Sequence, residues 1–242
     1  MQFLTAEWRN LVMANYAVDP GILQPFVPAY TELDTWQDRC YVSLVGFLFL
    51  NTRIKGVRIP FHQSFEEVNL RFYVQRRHQD AWRRGTVFIR ELVPRPLVSM
   101  VANTLFGEHY RTTRMAHELM VQGNQQKIAY RWQWKRRWHA LGVTAATEAV
   151  DIPAESEAEF ITEHYWGYTG LGPGRTTEYA VQHPRWQVYP VLDYSVETDF
   201  AALYGQAFSV LNGSRPTSVL WAAGSPVSVE HRQRVAASSQ AL

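Results

Sequence analysis

From Arg39 to Leu50 the chain reads RCYVSLVGFLFL, and apolar residues fall on both sides of an extended backbone. Val42, Leu44, Leu48 and Leu50 alternate with Tyr41, Val45, Phe47 and Phe49. A strand apolar on both faces is a strand buried on both faces. Phe65 to Arg77, FEEVNLRFYVQRR, alternates instead. Val68, Leu70, Phe72 and Val74 share one face, while Glu67, Asn69, Arg71, Tyr73 and Gln75 share the other. Leu11 to Val18 reads as a further strand, ended by Asp19-Pro20, an N-cap and first helical residue for the brief segment GILQPFV. After a turn near Asp80 to Gly85 the chain returns as Thr86 to Leu92, and Pro94 and Pro96 open a helix over Leu97 to Phe106. In that helix Leu97, Met100, Val101 and Leu105 fall at helical spacing.

Gly123-Asn124 marks a hairpin turn between two strands. A helix is predicted over Glu155 to His164, strands over Thr176 to Val181 and Gln187 to Val196, a helix from Thr198 to about Leu211, and a strand near Ser218 to Ala222. The fold class expected is mainly antiparallel β with flanking helices, α+β, in a single domain over residues 1–242 with a loose tail from about residue 230.

Composition narrows the function classes. A hydrophobic fraction of 46% over 242 residues provides a sizeable core, and a net charge of +2 gives no broad basic field for nucleic acid. The stretch YRWQWKRRWHA, Tyr130 to Ala140, interleaves aromatic and basic residues. Alternation explains it more simply, with Tyr130, Trp132, Trp134 and Trp138 on one face of a strand and Arg131, Gln133, Lys135 and Arg137 on the other. Cys40 is the only cysteine, so no internal disulfide or cysteine zinc cluster can form; with no secretion signal this points to a reducing cytoplasm. The longest apolar run, Tyr41 to Leu50, is too short to cross a bilayer as a helix. The histidines show no HExxH spacing, and GLGPGR at Gly170 to Arg175 leads into TTEYAV rather than into a helix. No metal and no cofactor is expected, and free strand edges allow a homodimer.

Candidate chemistry concentrates on Glu67, Asn69 and Arg71, lined up on one strand face about 7 Å apart, and on the pair Arg90 and Glu91 before the Pro-Arg-Pro corner. If that face looks into a cavity, it is a wall able to hold an anionic or carbonyl-bearing ligand, with Arg71 or Arg90 as anion anchor. If it faces water, these are ordinary solvated residues. His62 and His109 complete the candidate ligand-binding set, and His183 is a further histidine for acid–base work with Glu67 or Glu91. Extended backbone sends Arg90 and Glu91 to opposite faces, so each could equally anchor a neighbouring strand.

The order of NYAVDPGILQPFVP, YVSLVGFLF, TRIKGVRIPFHQSFEEVNLRFYV, RGTVFIREL, FITEHYWGYT and HPRW resembles the uncharacterised bacterial YqjF-like family, itself distantly similar to acetoacetate decarboxylase. The resemblance covers nearly the whole chain. It implies an antiparallel, cone-like barrel with flanking helices and an internal pocket. In the decarboxylase a strand ending in Arg-Glu-Leu leads to Pro-Lys-Lys, whose first lysine forms the Schiff base and whose second lowers its pKa. Arg90, Glu91, Leu92 and Pro96 match that pattern, but Leu97 and Val98 stand where the lysines belong. Neither can form an iminium. The function expected is a small-molecule-binding protein without the Schiff-base lysine. The alternatives are a lyase or hydrolase working by carboxylate and histidine chemistry on a small carbonyl or carboxylate, and a non-catalytic structural or interaction protein.

Overall fold

The computed structural model describes residues 2–235. Its organising feature is a sheet that closes on itself. Seven strands pair in the order Ser218–Glu230, Gln2–Val18, Cys40–Ile54, Phe65–His78, Ala81–Val93, Trp166–Gly170 and Thr176–Gln182, and the last pairs back to the first. Every pairing in this ring is antiparallel except that of Ala81–Val93 with Trp166–Gly170. A second, antiparallel sheet of Met115–Gln122, Gln125–Trp134, Arg137–Ala146 and Val191–Glu197 packs against the outside of the ring.

Period-two alternation distributes the ring's side chains between two cores. Val12, Val42, Leu44, Leu70 and Phe72 point outward and meet Ile128, Tyr130, Trp132, Leu141 and Val143 of the second sheet. Met13, Tyr41, Val45, Phe47, Phe49, Phe65 and Tyr73 point into the ring. This is why Cys40 to Phe49 is buried without interruption. The sheets meet closely at Gly46, where an added Cβ would lie 2.7 Å from Cδ2 of Tyr130. Tyr130 is fully buried and donates its hydroxyl to the Asn10 carbonyl at 2.8 Å, so it cannot easily yield. Gly46→Ala is therefore expected to lower stability by about 1–3 kcal/mol, read from urea unfolding of the two proteins.

Several elements differ from the sequence expectation. The Tyr130 to Ala140 stretch is not one strand: Lys135 and Arg136, at φ 45° and 67°, turn it into a hairpin. Trp138 then pairs with Gln133, on the face opposite Tyr130 and Trp132, and is 51% exposed. The segment 187–196 is broken by Pro190, which has no N–H to donate, into Gln187–Tyr189 in the ring sheet and Val191–Glu197 in the second sheet. The strand expected near Ser218 to Ala222 runs on to Glu230. The helix expected from Thr198 is Phe200–Tyr204 followed by the 3₁₀ segment Gln206–Leu211. Of the tail from residue 230, Gln233–Arg234 pairs with Thr176–Gln182, and residues 236–242 lie outside the described residues. Among the described residues no helix is long and apolar enough to cross a membrane.

Candidate functional site

The ring encloses a cavity of about 150 Å³, to which each of its seven strands contributes, including Trp8 from Gln2–Val18 and Val229 from Ser218–Glu230. That volume is about what a benzene-sized molecule needs. Most of the wall is apolar and aromatic, with Phe47, Phe49, Phe65, Phe88, Trp166 and Trp186 prominent. The helix Pro96–Phe106 forms part of the wall. Pro96 supplies its fixed φ at the first helical position and Gly107, at φ 72°, closes the helix in the left-handed conformation. Leu97, Val98, Val101, Ala102 and Phe106 face the cavity, whereas Met100 and Leu105 are exposed. The helix is thus rotated from the face the apolar spacing suggests. Leu97 and Val98, the positions of the decarboxylase lysines, look into the cavity as apolar side chains.

The polar face of Phe65–His78 is turned inward. Glu67, Asn69 and Arg71 all line the cavity and are buried, because the ring covers the face that an open sheet would leave to water. Glu91 joins them and Arg90 does not, for a reason specific to the backbone. Leu70 pairs with Arg90 but Arg71 pairs with Phe88, so the strand Ala81–Val93 carries a bulge at Ile89. Thr86 and Phe88 face inward by alternation, and the extra residue puts Glu91 inward where alternation would place Arg90. The Arg90 guanidinium instead lies 5.2 Å from the Trp134 ring centroid, toward the second sheet. Arg90 is therefore corrected from a cavity residue to a support between sheets.

His62 lies at the cavity wall, half-buried, with Nδ1–H donating to the Pro60 carbonyl at 2.8 Å. His109 is exposed and outside the wall; only its carbonyl reaches the site, accepting from Glu91 N at 3.4 Å. His183 lines the cavity but its ring is stacked on Trp186 at 4.2 Å.

The sequence reading missed Glu108, Tyr110, Tyr179 and His164, all on the cavity wall. Glu108 and Tyr110 follow the helix cap, and Tyr110 pairs alongside Glu91. Tyr110 donates its hydroxyl to Glu67 Oε2 at 2.9 Å, while Asn69 Nδ2 donates to Glu67 Oε1 at 2.9 Å. Glu108 Oε1 accepts from Tyr179 at 3.0 Å and from Thr169 at 2.9 Å. Tyr179 fits only because its partner residue is Gly167, whose added Cβ would lie 2.2 Å from the tyrosine Cζ. The signal present in the sequence was the WGY motif in FITEHYWGYT, with His164 two residues before it.

Three carboxyls in one low-dielectric cavity cannot all ionise. Burial pushes Glu67 up to about 7, against the Asn69 and Tyr110 hydrogen bonds and the Arg71 charge. Burial likewise raises Glu108 to about 7 despite the Thr169 and Tyr179 hydroxyls. Glu91 goes well above the carboxylate range, through burial and then the neighbouring Glu108 and Glu67. Burial thus shifts all three carboxyls toward the protonated form, which donates as well as accepts, beside one guanidinium.

Comparison with known proteins agrees with this architecture. The chain is 29% identical over 167 residues to the uncharacterized protein YqjF of Bacillus subtilis (strain 168), covering 67% of this chain and 65% of that one. Among solved structures it is similar to acetoacetate decarboxylase from Legionella pneumophila, with a TM-score of 0.66, 12% identity, and 97% and 87% of the two chains covered. It is also similar to the enduracididine biosynthesis enzyme MppR complexed with pyruvate, with a TM-score of 0.69, 12% identity and 98% and 91% coverage. An acetoacetate decarboxylase-like enzyme from Sphingomonas wittichii RW1 gives a TM-score of 0.59, 14% identity and 97% and 94% coverage. The fold is that of the acetoacetate decarboxylase-like proteins, and, with residues 5–226 matching its sequence pattern, the chain belongs to the DUF2071 family of uncharacterized conserved proteins.

Proposed function

We propose that the protein binds a small carboxylate or other carbonyl-bearing molecule inside the ring without a covalent bond to lysine. One observation carries this reading. Trp8, Thr52, Asn69, Arg71, Glu91 and His164 each hold a buried side-chain polar atom with no hydrogen-bond partner among the described residues, and all six line this cavity. Each such atom costs about 1–3 kcal/mol unless a partner is supplied, and their convergence on one apolar cavity is the arrangement of a ligand site. Arg71 is the anion anchor. Among the described residues its Nε has no hydrogen-bond partner and its Nη2 reaches Met13 Sδ at 3.6 Å, and burial shifts its neighbour Glu67 toward the neutral form. Lys55, Lys127 and Lys135 are all exposed and outside the wall.

Pyruvate and butyrate, both small enough for about 150 Å³, are the probes, pyruvate being the molecule named with the similar MppR structure. Both are expected to raise the melting temperature of the wild type. Arg71→Ala is expected to weaken them roughly a hundredfold, the loss of a charge-assisted hydrogen-bonding group worth about 2–3 kcal/mol. Equal stabilisation of the two proteins removes Arg71 from the role.

A second reading is favoured by the values of about 7 for Glu67 and Glu108, which titrate where a general acid or base works. On that reading a bound carbonyl compound is turned over with a rate that bends near pH 7, and a flat profile from acid to neutral counts against it.

A further inference from the structure

Asp34 and His164 are 130 residues apart in sequence and form a pair whose histidine lines the cavity, and Asp34 has no part in the reading above. His164 Nε2–H donates to Asp34 Oδ2 at 3.0 Å. The same oxygen accepts from Arg84 Nε at 2.6 Å, and these two partners hold Asp34 below its ordinary value although burial opposes them. With Asp34 ionised and accepting, the imidazole proton is fixed on Nε2, and Nδ1 carries a bare lone pair. Nδ1 is buried and receives no hydrogen bond from the described residues. The ring cannot turn to find one. Tyr73 packs on it at 4.6 Å and Phe160 meets it edge-on at 5.1 Å. Burial keeps the ring neutral, lowering it to about 4.

A neutral nitrogen acceptor locked at the wall of a ligand cavity selects a hydrogen-bond donor. We propose that Asp34 holds His164 to accept a hydroxyl of the ligand, so that the molecule bound at Arg71 is a hydroxy-carboxylate. The inference rests on the reading that Arg71 anchors a carboxylate in the same cavity. Arg71 and His164 flank the same Tyr73: the guanidinium carbon lies 5.7 Å from the tyrosine ring centroid and the imidazole 4.6 Å from it. The two groups are near enough for the Arg71 charge to act on the imidazole.

Calorimetric titration of the full chain with butyrate and with hydroxybutyrates bearing the hydroxyl on the second, third or fourth carbon separates the claims. One hydroxybutyrate is expected to bind roughly tenfold more tightly than butyrate, the worth of one hydrogen bond to a buried acceptor. His164→Phe keeps an aromatic ring between Tyr73 and Phe160 and is expected to abolish that preference while retaining butyrate. Should His164→Phe not fold, nitrogen NMR of histidine-labelled wild type replaces it: the Nδ1 resonance moves with the preferred hydroxybutyrate and stays with butyrate. Equal binding of all four acids, a preference that survives His164→Phe, or an unmoved Nδ1 overturns the inference and leaves Arg71 untouched. No binding of any of the four, butyrate included, overturns the carboxylate reading itself and the inference with it.

Discussion

At about pH 8 the Glu91→Gln protein is expected to melt above the wild type, and at about pH 4 the two are expected to melt together. Glu91 is buried, its Oε2 has no hydrogen-bond partner among the described residues, and burial with the nearby Glu108 and Glu67 raises it well above its ordinary 4.5. Between 4.5 and that raised value the folded protein holds a proton that the unfolded chain has released. Stability therefore falls as pH rises, by roughly 1.4 kcal/mol per unit across the window. Below 4.5 both states are protonated and nothing is lost. Glutamine keeps the shape and removes the titration. Glu67 and Glu108 contribute losses of the same sign from 4.5 to about 7. His164 opposes them: lowered from 6.5 to about 4, it adds stability as pH rises between those values. The wild-type profile mixes these effects, so the difference between the two proteins is the quantity to read, by scanning calorimetry across that range. A Glu91→Gln protein that melts far below the wild type at about pH 8 would instead mark Glu91 as an ionised structural partner.

The second large effect is covalent. Wild-type protein incubated with pyruvate and borohydride is expected to gain no adduct inside the cavity, because its three lysines are exposed and outside the wall. Leu97→Lys is expected to gain one. The helix Pro96–Phe106 points residue 97 into a cavity lined by Phe47, Phe88 and Trp166, and desolvation there lowers an amine toward the unprotonated form that attacks a ketone. The amine adds to the pyruvate carbonyl, water leaves, and borohydride reduces the imine to a stable secondary amine. Mass analysis of the intact chain and of its peptides checks both proteins. A wild-type lysine adduct contradicts binding without a covalent bond, and a Leu97→Lys protein that stays unmodified contradicts the placement of residue 97.

How much of this was legible in the chain depended on whether the decisive contact was local. Cys40 to Leu50 could be read as buried on both sides because alternation alone carries that information. The same holds for the inward set Glu67, Asn69 and Arg71, except that alternation cannot say whether the face is covered. Only closure of the ring through the pairing of Val181 with Val229 decides it. The bulge at Ile89 was invisible, since no glycine or proline marks it, and it exchanged Arg90 for Glu91 at the wall. Glu108 and Tyr110 sit where no periodicity applies, just past a helix cap. The Asp34–His164 bond joins a loop to the end of a short helix, and no spacing rule links positions so far apart.

The central claim is that Arg71 holds a carboxylate within the ring. A crystal soaked in bromopropionate tests it most directly, because anomalous scattering locates the bromine independently of the rest of the density. The account predicts bromine among the aromatic residues of the cavity and the carboxylate on the Arg71 guanidinium. A carboxylate bound elsewhere, or a cavity without bromine at a concentration that saturates the melting shift, would contradict it.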